Sequence, residues 1–254
     1  MTIAAELNWI LAVLWISLRV SALFFLTPFD AFGRLPRRVK AIFVLAVSFI
    51  FLQHAGGAIP AIPNTFFQWA SIAISEVVVG LLMAFGIYCA FSAVMFAGRV
   101  LDFQAGLGAA NILNPATNSH DPLIGTILTM LFTALFFLSG MHIYVLKGIS
   151  LSFSVLPVGA GVGNLSISDV VRQFGIVFIY GFMLAAPVVL VLALIDLAVG
   201  FMSRSMPQVN VYFLFLPLKI YISLLLLGIS FKFYLPYSME LFSKMFISWQ
   251  GVVK

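Results

Sequence analysis

The chain has 254 residues, of which 63% are hydrophobic and 8% are charged, and its mean hydropathy is +1.17. This composition is too apolar for a soluble globular domain and predicts an integral membrane protein. The formal net charge of +5 does not indicate nucleic-acid binding, because no stretch of the chain is polar enough to form a solvated basic domain.

Apolar runs along the chain are candidates for helices that enter or cross a membrane. They cover residues 7–29, 41–53, 66–97, 123–146, 170–201 and 211–235. We expect helices because unpaired backbone groups are not tolerated facing lipid, and no run alternates with the period of two that a barrel strand needs. The second run is short for a full span, and the third and fifth are too long for a straight one. The predicted fold class is therefore all-α, a polytopic protein of about six kinked hydrophobic helices or helical hairpins.

Basic residues are concentrated in the first connection between apolar runs, which contains Arg34, Arg37, Arg38 and Lys40. The second connection, residues 53–65, has no charged residue. Since Lys and Arg favour cytoplasmic loops, the first connection is predicted to be cytoplasmic. We also expect the first run to stay in the mature protein, because no basic region precedes it and Arg19 interrupts it.

Ionisable residues interrupt several runs, and they are candidate functional residues because a charge that faces acyl chains is costly. They are Arg19, Glu76, Asp196 and Lys219, together with Asp102 and the polar Gln104 just after the third run. Three interpretations stay open: buried ion pairs that fix how segments dock, such as Glu76 with Lys219; a proton relay; or contact with another subunit.

Small residues and prolines within the runs indicate close packing and bends. Gly80 begins a series of small residues along the third run that lets a neighbouring backbone come close. Pro28, Pro187 and Pro217 lie within or beside apolar runs, where a missing backbone hydrogen bond favours a kink. Kinked helices with glycine-rich joints are typical of transporters and channel assemblies.

The most polar long stretch is "RVLDFQAGLGAANILNPATNSHDP", residues 99–122, between the third and fourth runs. Its glycines give backbone freedom, and its prolines block helix continuation. Its apolar side chains, among them Leu107, Ile112 and Leu113, would be left in water by a simple solvated loop. We therefore expect them to fill a cavity, either a pore that the loop closes or a surface of the chain's own helices.

Catalytic and metal sites are not indicated. Cys89 is the lone cysteine, and His54, His120 and His142 lack the spacing of a zinc-binding helix. No cluster of polar side chains has the arrangement of a nucleophile with its base. We therefore expect no enzyme activity and no cofactor.

Several motifs in order carry a resemblance to a known family. Residues 75–108 contain a glutamate, spaced glycines and the pattern G-x-x-x-D-x-Q-x-G. Residues 186–220 contain D-x-x-x-G-x-x-x-R-x-x-P-Q-x-N followed by P-x-K, and "RLPRRVKA" precedes the second run. Across essentially its whole length, the chain resembles the FliR family of flagellar biosynthesis proteins, which is related to the T subunit of virulence type III secretion systems.

The resemblance implies a single-copy subunit of a helical, hetero-oligomeric protein export gate in the bacterial inner membrane, within the flagellar basal body. Residues 1–165 would be a P-like portion that includes a plug loop at 106–122, and residues 166–254 would be a Q-like helical hairpin. The implied plug residues are Gly106, Leu107, Gly108, Asn111, Ile112, Leu113, Asn114 and Pro115. The implied cytoplasmic contacts with other subunits are Arg34, Arg37, Arg38, Arg204, Pro207, Gln208 and Asn210.

The resemblance also implies partners: five FliP-like and four FliQ-like subunits, FlhB-like and FlhA-like subunits, and unfolded polypeptides that pass through the gate. An alternative function is a proton-coupled secondary transporter that uses Glu76 and Asp196 as carriers. Such a transporter would normally show paired sequence repeats, and the chain contains no convincing one.

Overall fold

The computed structural model describes residues 2–28, 35–54, 63–107, 122–161 and 167–252, and within these ranges the regular structure is entirely α-helical. The helices are α1 (Thr2–Phe25), α2 (Arg37–His54), α3 (Phe66–Ala105), α4 (Leu123–Leu138), α5 (Met141–Val155), α6 (Ile167–Ser205) and α7 (Val211–Val252). The predicted all-α fold is therefore confirmed.

Four of the described helices contain a stretch long and apolar enough to cross a membrane. These stretches are Asn8–Phe25, Phe66–Ala105, Val170–Ser205 and Val211–Tyr234. Helices α4 and α5 pass the same test only as a pair, bent by 70° at a short break, which would make a fifth span. The second apolar run forms α2, which has 18 residues and begins with basic ones. The chain is thus a polytopic membrane protein, as its hydropathy predicts.

The predicted run 123–146 is not one helix, because the chain bends at Ser139 and Gly140. The hydroxyl of Ser139 donates a hydrogen bond to the carbonyl oxygen of Leu135 and so binds the last turn of α4. Gly140 has a φ of +72°, which is in the left-handed region that favours glycine. These two residues end α4 and let α5 begin in a new direction.

Several helices are longer than the apolar runs that predicted them, and α3 and α7 show this most clearly. α3 continues to Ala105 and α7 to Val252, although the predicted runs stop at 97 and 235. Hydropathy marks where an apolar run stops, whereas the hydrogen bonds of a helix do not depend on whether its side chains are apolar. Pro187 lies inside α6, and Pro217 and Pro236 lie inside α7.

The chain divides into two compact units. Unit 1 comprises Met1–Cys89, Gly140–Gln173 and Ser243–Lys254, and unit 2 comprises Ala90–Ser139 and Phe174–Phe242. The boundaries of the two units are set by which residues contact one another in the folded chain. The division at residue 165 into P-like and Q-like portions concerns likeness to other subunits, and it stays a prediction.

Unit 1 contains a close fit between three helices at its last segment. The indole ring of Trp249 in α7 lies against Gly86 of α3, where a Cβ atom would overlap the indole nitrogen. It also lies against Gly148 of α5, where a Cβ atom would come within 2.6 Å of the ring. Because each glycine leaves the space of a side chain empty, the large ring fills both notches.

Unit 2 is packed around aromatic rings. The ring centroids of Phe132 in α4 and Phe242 in α7 are 4.6 Å apart in a stacked arrangement. Phe91 of α3 contacts Phe132 edge-on, with centroids 4.9 Å apart. The rings join α3, α4 and α7 in the core of this unit.

Candidate functional site

The first polar network lies in unit 1 and is centred on an ion pair between α1 and α3. Arg19 Nε and Glu76 Oε2 are 2.7 Å apart, and both side chains are 2% exposed. Removing two charges from water is costly, and only good pairing geometry with further hydrogen bonds offsets that cost. The other nitrogen and oxygen atoms of both side chains therefore need hydrogen-bond partners.

The remaining nitrogens of Arg19 find partners in and after α5. Nη1 donates to Ser152 Oγ at 3.1 Å, and Nη2 donates to the carbonyl oxygen of Leu156 at 3.1 Å. The second oxygen of Glu76 accepts the backbone N–H of Gly159 at 3.1 Å. Every nitrogen and oxygen of the ion pair therefore has a partner, and the network joins α1, α3 and α5.

Two further contacts explain how these elements come close enough to pair. A Cβ atom on Gly80, one turn after Glu76, would overlap the carbonyl oxygen of Arg19. The guanidinium carbon of Arg19 also lies 4.3 Å from the ring centroid of Phe153, a distance at which a cation is attracted to an aromatic face. Gly80 thus permits the close approach of α1 and α3.

The pairing of Glu76 with Lys219 considered in the sequence is wrong, because Glu76 pairs with Arg19 and Lys219 pairs with Asp196. The charges were recognisable as buried, but hydropathy does not report which helices are neighbours. Sequence reasoning also missed Ser152, because a serine among apolar helix residues gives no signal of its own.

The second polar network lies in unit 2 and joins α3, α6 and α7. Lys219 Nζ lies 2.6 Å from Asp196 Oδ1, and Gln104 Nε2 donates to Asp196 Oδ2 at 2.9 Å. The Lys219 side chain is 8% exposed, whereas that of Asp196 is 40% exposed. This ion pair is open on its acidic side, in contrast to the enclosed pair of unit 1.

Asp102, the remaining intramembrane candidate, caps helix α4. Its Oδ1 accepts the backbone N–H of Ile124 at 3.1 Å, and its Oδ2 accepts that of Gly125 at 3.3 Å. The first N–H groups of a helix have no partner within it, and the N-terminus carries partial positive charge. The buried carboxylate of Asp102 thus satisfies two such groups and is itself stabilised by them.

The end of α3 and the start of α4 approach closely beside this cap. A Cβ atom on Gly98 would overlap the Cα atom of Gly125. Gly106 has a φ of +82° and ends α3, and a Cβ atom there would come within 2.6 Å of Leu216. The N–H of Leu107 donates to the carbonyl oxygen of Asp102 at 3.1 Å. These contacts fix the position of the chain as it leaves α3.

Two of the predicted plug residues, Gly106 and Leu107, lie in this turn after α3. The other predicted plug residues fall outside the described part of the chain. They are Gly108, Asn111, Ile112, Leu113, Asn114 and Pro115.

The predicted cytoplasmic contact residues that the structure describes are exposed. Arg37 and Arg38 begin α2, Arg204 lies in the last turn of α6, and Pro207 and Gln208 lie in the turn before α7. Arg34 falls outside the described residues.

Asn210, the last of the predicted contact residues, is also exposed and precedes α7. Its carbonyl oxygen accepts the N–H groups of Phe213 and Leu214 at 3.1 and 3.3 Å. Asn210 therefore stabilises the start of α7 as well as presenting a polar side chain at the surface.

Comparison with known proteins places the chain in a family. The family model described as "Bacterial export proteins, family 1" matches residues 10–245. The flagellar biosynthetic protein FliR of Escherichia coli (strain K12) is 27% identical over 241 residues, which cover 94% of this chain and 92% of that protein. FliR of Bacillus subtilis (strain 168) is 34% identical over 223 residues, covering 85% and 84%.

A protein of a secretion system is also similar. The secretion system apparatus protein SsaT of Salmonella typhimurium is 27% identical over 183 residues, which cover 71% of each chain. The resemblance seen in the sequence motifs is confirmed by matches that extend over most of the molecule. The chain belongs to family 1 of the bacterial export proteins, the FliR family.

Proposed function

We propose that this chain is a structural and gating subunit of a flagellar type III protein export apparatus in the bacterial inner membrane, and that it is not an enzyme. The observation that carries the proposal is the family match over residues 10–245 together with near full-length similarity to flagellar biosynthetic proteins. Similarity to the Yop proteins translocation protein T of Yersinia pestis and to SsaT supports a role in protein secretion.

The surfaces of the long helices support assembly with other subunits. In an 18-residue apolar window of α3, 61% of the residues are buried within the chain, but the corresponding share is 22% in α6 and 11% in α7. Large side chains such as Phe182, Phe201 and Phe213 are exposed on α6 and α7. We propose that FliP-like and FliQ-like subunits cover this apolar surface, in five and four copies respectively, and that FlhB-like and FlhA-like subunits bind the assembly.

The connection between α3 and α4 is proposed to be the plug of the gate. Residues 106–122 contain both glycines and apolar side chains. This composition is suited to a seal that can be displaced when an unfolded polypeptide passes. The gate opens passively, and another component supplies the energy for transport.

The alternative, a proton-coupled transporter that uses Glu76 and Asp196, receives less support from the geometry. Both oxygens of each carboxylate are engaged by hydrogen bonds or ion pairs. A proton carrier has to exchange its partner during each cycle, and the Arg19–Glu76 network would have to be broken in the interior of unit 1 to do so.

Native mass spectrometry in mild detergent tests the proposal. The chain is expressed together with its FliP-like and FliQ-like neighbours and purified by a tag on this chain alone. We expect an assembly that contains one copy of this chain with several copies of each small helical protein. A monomer or homodimer, recovered from the same cells that contain folded FliP-like and FliQ-like proteins, would contradict the proposal.

A further inference from the structure

We propose that unit 2 binds a membrane phospholipid in a pocket between α3, α4, α6 and α7, where the hydroxyl of Tyr234 donates a hydrogen bond to an ester carbonyl of the lipid. The inference goes beyond the proposed export role, because it concerns how the folded chain meets the membrane. It rests on side chains of unit 2 that the structure describes.

The pocket has an apolar wall and a wall that carries hydroxyl groups. Helices α3 and α4 supply apolar side chains, among them Leu128 and Leu131. Helices α6 and α7 supply three tyrosines, which are Tyr180, Tyr234 and Tyr237. The pocket is open on one side, and the space within it and at its mouth together is about 390 Å³. A mostly apolar pocket with a few polar groups is typical of a site for a small amphipathic molecule.

The hydroxyl of Tyr234 is buried in the lining of this pocket without a hydrogen-bond partner. The residue is 7% exposed, and its hydroxyl oxygen bonds to no group in the described part of the chain. By contrast, the hydroxyl of Tyr180 donates to Glu240 Oε1 at 3.0 Å. Burying an unpaired hydroxyl is costly, so a ligand that brings an acceptor to Tyr234 would be stabilised there.

The place of Tyr234 along α7 indicates the depth of the pocket in the membrane. The apolar stretch of α7 that is able to span a membrane ends at Tyr234. Three exposed charged residues surround this end of the stretch, and they are Lys232, Glu240 and Lys244. Tyrosines are enriched at the boundary between hydrocarbon and headgroups. The ester carbonyls of phospholipids lie at that same boundary, within reach of a hydroxyl at this depth.

A diacyl phospholipid supplies both groups that the pocket needs. Its ester carbonyl is an acceptor that carries no donor, and it therefore complements a hydroxyl that lacks an acceptor. Its upper methylene groups match the apolar wall at Leu128 and Leu131. Water fits less well, because a buried water molecule needs two to four polar partners. A free fatty acid also fits less well, because the carboxylate of Glu240, bonded to Tyr180, would repel a second carboxylate.

Thermal unfolding with two matched lipids tests the hydrogen bond. The chain is purified in detergent with the subunits that accompany it, and it receives dioleoyl phosphatidylcholine or the diether analogue, which has the same chains and headgroup but no carbonyl. We expect the diester to raise the melting temperature by about 2–4 °C more than the diether does.

Tyr234→Phe removes only the hydroxyl, and it should abolish the difference between the two lipids. Because this hydroxyl has no partner in the described chain, the variant should be at least as stable as the unaltered chain when no lipid is added. Tyr221→Phe is the matched control, since Tyr221 lies on the same helix and is 64% exposed. This control should respond to both lipids as the unaltered chain does.

Phosphatidylcholine with a photoactivatable diazirine on one acyl chain locates the site. Mass spectrometry should find the label on the apolar wall, at Leu128 and Leu131. Tyr234→Phe should reduce this labelling about threefold to tenfold, the loss expected from one neutral hydrogen bond.

Three outcomes overturn the inference. They are equal stabilisation by the diester and the diether, a difference between these lipids that persists in Tyr234→Phe, and label confined to the exposed faces of α6 and α7. A Tyr234→Phe chain that is less stable before lipid is added also contradicts it, because the hydroxyl then has a partner within the protein. None of these measurements reports on export or on the subunits of the assembly, so their failure leaves the proposed function standing.

Discussion

The two ion pairs of this chain use the same chemistry in different surroundings. In unit 1, Arg19 and Glu76 are each 2% exposed, and every polar atom of the pair has a partner. In unit 2, Asp196 is 40% exposed while Lys219 is 8% exposed. The pair of unit 1 is therefore enclosed by the chain itself, whereas the carboxylate of unit 2 presents charge at the surface of the chain. The comparison teaches that the surroundings of a charged pair, and not its chemistry, decide how costly it is to break.

The largest effect is expected from Glu76→Ala, which leaves the Arg19 cation buried without its counter-ion. Breaking a buried pair in this way costs about 3–5 kcal/mol of stability. The melting temperature of the purified complex and the amount of folded chain in membranes measure the loss. The double variant Arg19→Met with Glu76→Leu should recover much of it, because no charge is then buried. A single variant as stable as the unaltered chain would contradict the assignment.

A smaller and asymmetric effect is expected in unit 2. Asp196→Ala leaves Lys219 largely buried and unpaired and should cost about 2 kcal/mol. Lys219→Met leaves an exposed Asp196 that water or a neighbouring subunit can solvate, and should cost about 1 kcal/mol or less. Thermal unfolding of both variants in parallel measures the difference. Equal losses, or a larger loss for Lys219→Met, would show that the exposure of Asp196 does not matter.

An effect smaller than that of Asp196→Ala is expected from Ser152→Ala, which removes one acceptor from Arg19 and keeps the ion pair. The loss should be about 1.5 kcal/mol, because the hydrogen bond is donated by a charged guanidinium nitrogen. Ser154→Ala is a matched control in the same helix, because the Ser154 residue is exposed and its hydroxyl donates to the carbonyl oxygen of Leu151. If the two variants unfold at the same temperature, Ser152 contributes nothing to the network.

Hydropathy was sufficient to predict the fold class, because a bilayer imposes helices on any long apolar run. It was not sufficient to locate the bend at Ser139 and Gly140, which depends on a hydroxyl-to-backbone bond and a left-handed glycine within an apolar run. Nor did it predict that α7 continues past Pro236, because proline removes one hydrogen bond of a helix that its neighbours can still support.

The candidate residues could be predicted because they are polar residues in or beside apolar runs, but their partners could not be predicted. A charge in an apolar run is conspicuous, so Glu76, Asp196 and Lys219 were recognised from the sequence. Their pairing depends on which helices meet, and the two units combine segments that are distant in the chain. The capping role of Asp102 was hidden for the same reason, since its partner is a helix that begins after a long connection.

The notch that receives Trp249 has a consequence for how the protein is made. A chain is synthesised from its N-terminus, so α3 with Gly86 and α5 with Gly148 are made before residue 249. During that interval the space between the two glycines has no indole to fill it. Packing of unit 1 is therefore completed after translation of α7, and the earlier helices of this unit have to wait for the last one.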